Sequence, residues 1–152
     1  MTGPGPGHVR MVRYVAMPTA VGCARREALQ CLKEWGLVDL LESAELMVSE
    51  LVTNAVNATG PTGTRTPRYS ELTNLGTVML ELRVDGEVLR LSVWDSDTRP
   101  PVLKDVGPEA EEGRGIYLID VVSARWGHYL PPTGGKVVWC ELPLEPTAGQ
   151  HG

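Results

Sequence analysis

The apolar residues of this chain change their period part-way along, and that change limits the folds open to it. Val21, Ala24, Ala28, Leu32 and Trp35 recur at helical spacing, and so do Ala44, Met47, Val48, Leu51 and Ala55. Steps of three and four place each set on one stripe of a helix. From Thr77 the step falls to two: Val78, Leu80, Leu82 and Val84 alternate with their neighbours, as in a strand buried on one face. Helix stripes and a half-buried sheet each need a cover, and layering one on the other supplies both.

Punctuation residues set the boundaries. Val9 to Met17, rich in β-branched and aromatic side chains, predicts an edge-like strand. Pro18-Thr19 predicts a helix start with Thr19 as the N-cap, and Gly36 its stop. A second helix is expected from near Asp39, with Glu42 three residues on as in a capping box, to about Ala58. Gly60 to Asn74 has no periodicity and predicts a long exposed loop. Asp85-Gly86 predicts a tight turn before a returning strand, Val88 to Trp94. Ser96 to Gly113 is irregular again, and Gly115 to Ala124 predicts a third helix. Strands at Arg125 to Tyr129 and Lys136 to Leu142, joined through Gly134-Gly135, follow it. The expected class is α+β, a two-layer sandwich of a mixed, mostly antiparallel sheet covered on one face by about three helices. One domain over residues 9–142 lies between a flexible Gly/Pro start (1–8), which lacks the apolar run of a signal peptide, and a flexible tail (143–152).

Composition enters for what it excludes. A net charge of −5 leaves no broad basic surface for nucleic acid or anionic lipid. No apolar run approaches the roughly 20 residues of a spanning helix. The three cysteines, Cys23, Cys31 and Cys140, form no C-x-x-C pair and read as buried free thiols of a cytoplasmic protein. Among the histidines, His8, His128 and His151, only His128 lies where a catalytic triad would need it, and nothing near it argues for one. No G-x-x-x-x-G-K-[ST] phosphate loop occurs.

Three constellations carry chemistry. Glu50, Asn54 and Asn57 share one arc of the second helix beside its apolar stripe. There a carboxylate can deprotonate a hydroxyl and an amide oxygen can ligate Mg²⁺; a solvated polar edge has the same spacing. Asp95 ends a strand in Val93-Trp94-Asp95, where a carboxylate can accept from an exocyclic amine such as adenine's or simply open a turn. Gly113-Arg114-Gly115-Ile116 precedes a helix, whose unpaired N–H groups and dipole favour an anion; a flexible turn reads alike.

In this order the pieces resemble the GHKL (Bergerat-fold) ATP-binding superfamily, and within it the anti-sigma-factor serine/threonine-protein kinases. Glu50-Leu-Val-Thr-Asn54-Ala-Val is similar to the N-box, Val93-Trp94-Asp95 to the first glycine box, and Gly113-Arg114-Gly115-Ile116 to the second. Trp126-Gly127 with Gly134-Gly135-Lys136-Val137-Val138-Trp139 is similar to the closing hairpin. The resemblance implies a Bergerat fold and ATP with Mg²⁺ as cofactors. It implies Glu50 as general base, Asn54 as metal ligand, Asp95 on the adenine amine, and Gly113 and Gly115 beside the triphosphate. It also implies a cytoplasmic homodimer that sequesters a sigma factor and phosphorylates a serine on an antagonist protein. Three positions depart from the pattern: Ala58 where relatives often carry histidine, Asp97 where glycine is usual, and Val137 where a threonine commonly supports the adenine contact. The last two are expected to weaken ATP binding, Val137 through a missing hydrogen bond of roughly 0.5–1.5 kcal/mol. A non-catalytic protein-binding regulator on the same fold is the alternative they favour.

Overall fold

Strand β1 (Val9–Val15) leads into helix α1 (Thr19–Glu34), a short 3₁₀ turn (Val38–Leu40) and helix α2 (Leu41–Thr59). Hairpin β2 (Thr77–Asp85) and β3 (Val88–Asp95) comes next, then β4 (Arg125–Tyr129) and β5 (Lys136–Pro143). The computed structural model describes residues 7–59, 76–99 and 125–144. The five strands form one sheet in the order β1-β2-β3-β5-β4, antiparallel at every pairing. The expected parallel admixture is therefore missing among the described strands. The expected third helix lies outside the described residues, as does the Gly60–Asn74 loop.

Both helices cover one face of the sheet. The alternation read from the sequence buries Val78, Leu80, Leu82 and Val84 of β2 against them, with Leu89, Leu91 and Val93 of β3 alongside. Helix α2 contributes Ala44, Met47, Val48, Leu51, Val52, Ala55 and Val56, all buried. Its stripe is wider than the five residues predicted because α2 lies between α1 and the sheet and touches both. Helix α1, with only one covered side, buries Ala20, Ala24, Ala28, Cys31 and Leu32; Val21 and Trp35 are only partly buried.

Helix ends follow the chain's own hydrogen bonds more than its side-chain caps. Thr19 is already helical, and Pro18 occupies the N-cap with no side-chain bond. Proline's fixed φ of −56° is helical, so the turn starts one residue earlier, with Ala20 N–H donating to Met17 O at 2.9 Å. Asp39 falls inside the 3₁₀ turn instead of capping α2, because Leu40 is drawn into the core and tightens the approach. At the other end of α1 the sequence reading holds. Gly36 takes φ of 76°, Leu37 N–H reaches Leu32 O at 2.8 Å, and Gly36 N–H reaches Lys33 O at 3.1 Å, the Schellman pair of bonds. Leu37 packs against the core that holds Leu32.

The sheet face away from the helices carries Met11, Arg13, Met79, Glu81, Trp94 and Val137 around a groove of about 350 Å³. Glu141 is almost fully buried there, where Arg90 donates to it at 2.6 and 3.1 Å and Arg125 approaches to 3.6 Å. Both guanidiniums lie over the Trp139 ring, 4.8 and 5.6 Å from its centre.

Candidate functional site

Strand β3, the middle strand of the described sheet and the one α2 packs on most, ends in Asp95. Position 95 shares the helix-facing side with Leu89, Leu91 and Val93, so the alternation of the strand points its carboxylate into the seam between sheet and helix. Asp95 is fully buried, and so, within 2%, is Lys136. The two are direct cross-strand partners in the pairing of β3 with β5. Lys136 Nζ donates to both Asp95 oxygens at 3.0 Å and to Asp97 O at 3.1 Å, while Asp97 N–H donates to Asp95 Oδ1 at 2.8 Å. Burial pushes the Asp95 carboxyl up from the usual carboxylate range, and the Lys136 ammonium and the Asp97 amide pull it back.

The end of α2 meets the same end of the sheet. A Cβ placed on Gly76, just before β2, would stand 3.5 Å from Thr59 O and 3.6 Å from the hydroxyl of Ser96, the residue after Asp95. The last turns of α2, which carry Asn54, therefore share one end of the molecule with Asp95. Glu50 and Asn54 are half-buried, as a polar arc at the margin of a core stripe should be. Asn57 is exposed. Gly113, Arg114, Gly115 and Ile116 lie outside the described residues.

Two of the departures, Asp97 and Val137, lie among the strands that present Asp95 or just after them. Asp97 does not present an unpaired carboxylate. Arg99 folds back on it through its backbone N–H at 2.9 Å and Nε at 2.8 Å, with Nη2 closer still, and holds its carboxyl down to about 2. Meanwhile the Asp97 N–H donates to Asp95, and the Asp97 C=O accepts from Lys136. Val137 pairs with Trp94 across β3 and β5 and lines the groove on the far side of the sheet. One residue of strand register separates the two faces, so Lys136, not Val137, stands beside Asp95. The groove itself is divided from Asp95 by the sheet.

Lys136 is the residue that sequence reasoning missed. Its sequence position marks only the start of a strand after a glycine turn, because nothing local sets the register of β5 against β3, some forty residues away in the chain. Gly134-Gly135 is indeed a turn, with a further duty. Trp94 Nε1–H donates to Gly134 O at 2.8 Å, and Gly135, at φ of 78°, lies so close that a Cβ would come within 2.3 Å of Asp95 O. Only glycine lets the hairpin lie against the backbone that presents Asp95.

Residues 14–139 match the histidine kinase-like ATPase domain family. The chain belongs to that family. Membership implies ATP binding and a nucleotide site, and accords with the GHKL resemblance of the motifs. No curated protein matches the chain. On the helix-facing side of the sheet, this histidine kinase-like ATPase domain buries the charged pair Asp95 and Lys136 at one end of the seam. No cluster of three or more His, Cys, Asp or Glu suited to a metal occurs among the described residues. No described helix is long and apolar enough to cross a membrane.

Proposed function

We propose that this histidine kinase-like ATPase domain is a regulatory protein kinase. In this reading it binds Mg-ATP in the seam, transfers the terminal phosphoryl group to a serine of an antagonist protein, and holds a sigma factor inactive. The observation that supports it is Asp95: a fully buried carboxylate at the end of a central strand, kept supplied with donors and close to the Asn54 end of α2. A carboxylate has about four acceptor sites. Among the described residues Oδ1 receives Lys136 and Asp97, whereas Oδ2 receives Lys136, so in this reading Oδ2 takes the exocyclic amine of adenine. The residues also fit the metal: Mg²⁺ is ordinarily held by one or two protein oxygens, with phosphates and water completing its shell, and Asn54 supplies one. Bound Mg-ATP would supply the transferable phosphoryl group and the metal's charge neutralisation. Glu50, a turn before Asn54, takes the proton of the attacking serine hydroxyl. Gly113 and Gly115 belong to the same proposal as backbone donors to the triphosphate, with Arg114 and Ile116 between and after them. The protein acts as a cytoplasmic homodimer in this reading.

Glu50→Ala tests the assignment. Phosphate transfer should fall by at least about a hundredfold, the usual scale of a positioned general base, while nucleotide affinity changes little. Undiminished transfer would remove Glu50 from that role. A second reading, a binding regulator without catalysis, draws on the same Asp95, since three of its acceptor sites are already filled. Phosphorylation of any partner by the purified protein, absent in Glu50→Ala, would dispose of it.

A further inference from the structure

Lys136 is the one buried ammonium among the described residues, and the proposed chemistry does not use it. Its chain is almost fully enclosed and ends on both oxygens of Asp95. A lysine enclosed to this degree is costly unless its charge is matched, and the match here is with the residue assigned to the adenine base. We infer that Lys136 is a positioning residue for base recognition: it keeps Asp95 an acceptor-only carboxylate, so that the site selects a base offering an amine over one offering a carbonyl. This rests on the nucleotide-binding reading above and deepens it.

The geometry supports that role in two ways. Lys136 holds the carboxylate symmetrically, at 3.0 Å to each oxygen, and Asp97 N–H fixes Oδ1; among the described residues Oδ2 takes one donor fewer than Oδ1. The charged surroundings of Asp95 are also few. Lys136 faces it from β5, and Asp97, its own carboxylate matched by Arg99, from the segment after β3. On the β2 side stands apolar Val78, next to the Met79–Trp94 pair. Glu50 is the ionisable residue in the second half of α2. Without the ammonium, burial would favour the protonated acid. A protonated carboxyl offers an O–H, which opposes adenine's amine and suits the carbonyl oxygen of guanine.

The test compares Lys136→Met with the wild type, measuring Mg-ATP and Mg-GTP affinity by calorimetry from about pH 6 to about pH 8, a range that spans the expected loss of ionisation. Taking the ratio of variant to wild-type affinity at each pH cancels the titration of the nucleotide's own phosphates. We expect the ATP ratio to fall at least about tenfold more at the acid end than at the alkaline end, one pKa unit or more of altered coupling, and the preference for ATP over GTP to narrow. Where Lys136→Met does not fold, Lys136→Gln keeps a donor and removes only the charge; the same pH dependence is expected, and Lys136→Arg should restore the wild-type profile. A ratio that is flat with pH and an unchanged base preference would overturn the inference while leaving the nucleotide site intact. Absence of adenine nucleotide binding by the wild type would instead overturn the function on which it rests.

Discussion

Gly135 and Gly134 adjoin each other, and both have positive φ, yet they should not respond alike. A methyl group on Gly135 would meet Asp95 O at 2.3 Å and Trp94 Nε1 at 2.5 Å, whereas one on Gly134 meets nothing within 4 Å. Gly134→Ala should therefore cost only backbone strain, about 1 kcal/mol. Gly135→Ala adds a backbone clash that cannot relax by a rotamer change, and should cost well over about 2 kcal/mol. Urea denaturation of the two variants checks the difference, and equal losses would contradict the close approach. The thiols divide in a similar way. Burial pushes Cys31 up to about 11 and Cys140 to about 12, while Cys23 is exposed. A thiol reagent at about pH 8, near the free thiol's own range, should label Cys23 alone in the native protein and all three cysteines in denaturant. The expectation of three buried thiols fails at Cys23 because α1 turns that residue away from both α2 and the sheet.

What was legible in the sequence was what a single element decides for itself. The stripe of α2, the alternation of β2 and the Gly86 turn, with φ of 65°, depend on residues within a few positions of one another. Gly36 belongs with them. Its left-handed φ sets up both closing bonds of α1, and Gly36→Ala should cost about 1 kcal/mol in thermal unfolding. The misread features were settled by partners elsewhere in the chain. Thr19 lost the N-cap to a turn beginning at Met17, and Asp39 was drawn into a 3₁₀ turn by the burial of Leu40. At the site, Glu50, Asn54 and Asp95 were legible because helix and strand periods fix their faces. Lys136 and Val137 exchanged roles because the register between β3 and β5 is a long-range property that no local pattern records.

The fold keeps several weak acids protonated in its core or packed against it. Cys140, Cys31 and Tyr14 are raised, chiefly by burial, to about 12, 11 and 12. In the unfolded chain the same groups release their protons from about pH 8.5 to 10. Across that window the folded protein binds more protons than the unfolded one, so stability is full below about pH 8.5 and declines as pH rises towards the folded values. The urea midpoint should fall between about pH 8 and about pH 10, and a constant midpoint would mean that the three groups are more accessible than their burial indicates. Among the described residues the most deeply buried ion pair is Asp95–Lys136. Removing one partner alone should cost about 3–5 kcal/mol, and a variant that alters both avoids that cost. The measurement that tests the central claim most directly is Mg-ATP calorimetry on the wild type and on an Asp95→Asn, Lys136→Met double variant, which leaves no unmatched buried charge. We expect saturable binding by the wild type and at least a tenfold loss, about 1.4 kcal/mol, in the double variant. Equal affinity in the two proteins, or no binding by the wild type at millimolar ATP, would contradict an adenine site built on Asp95.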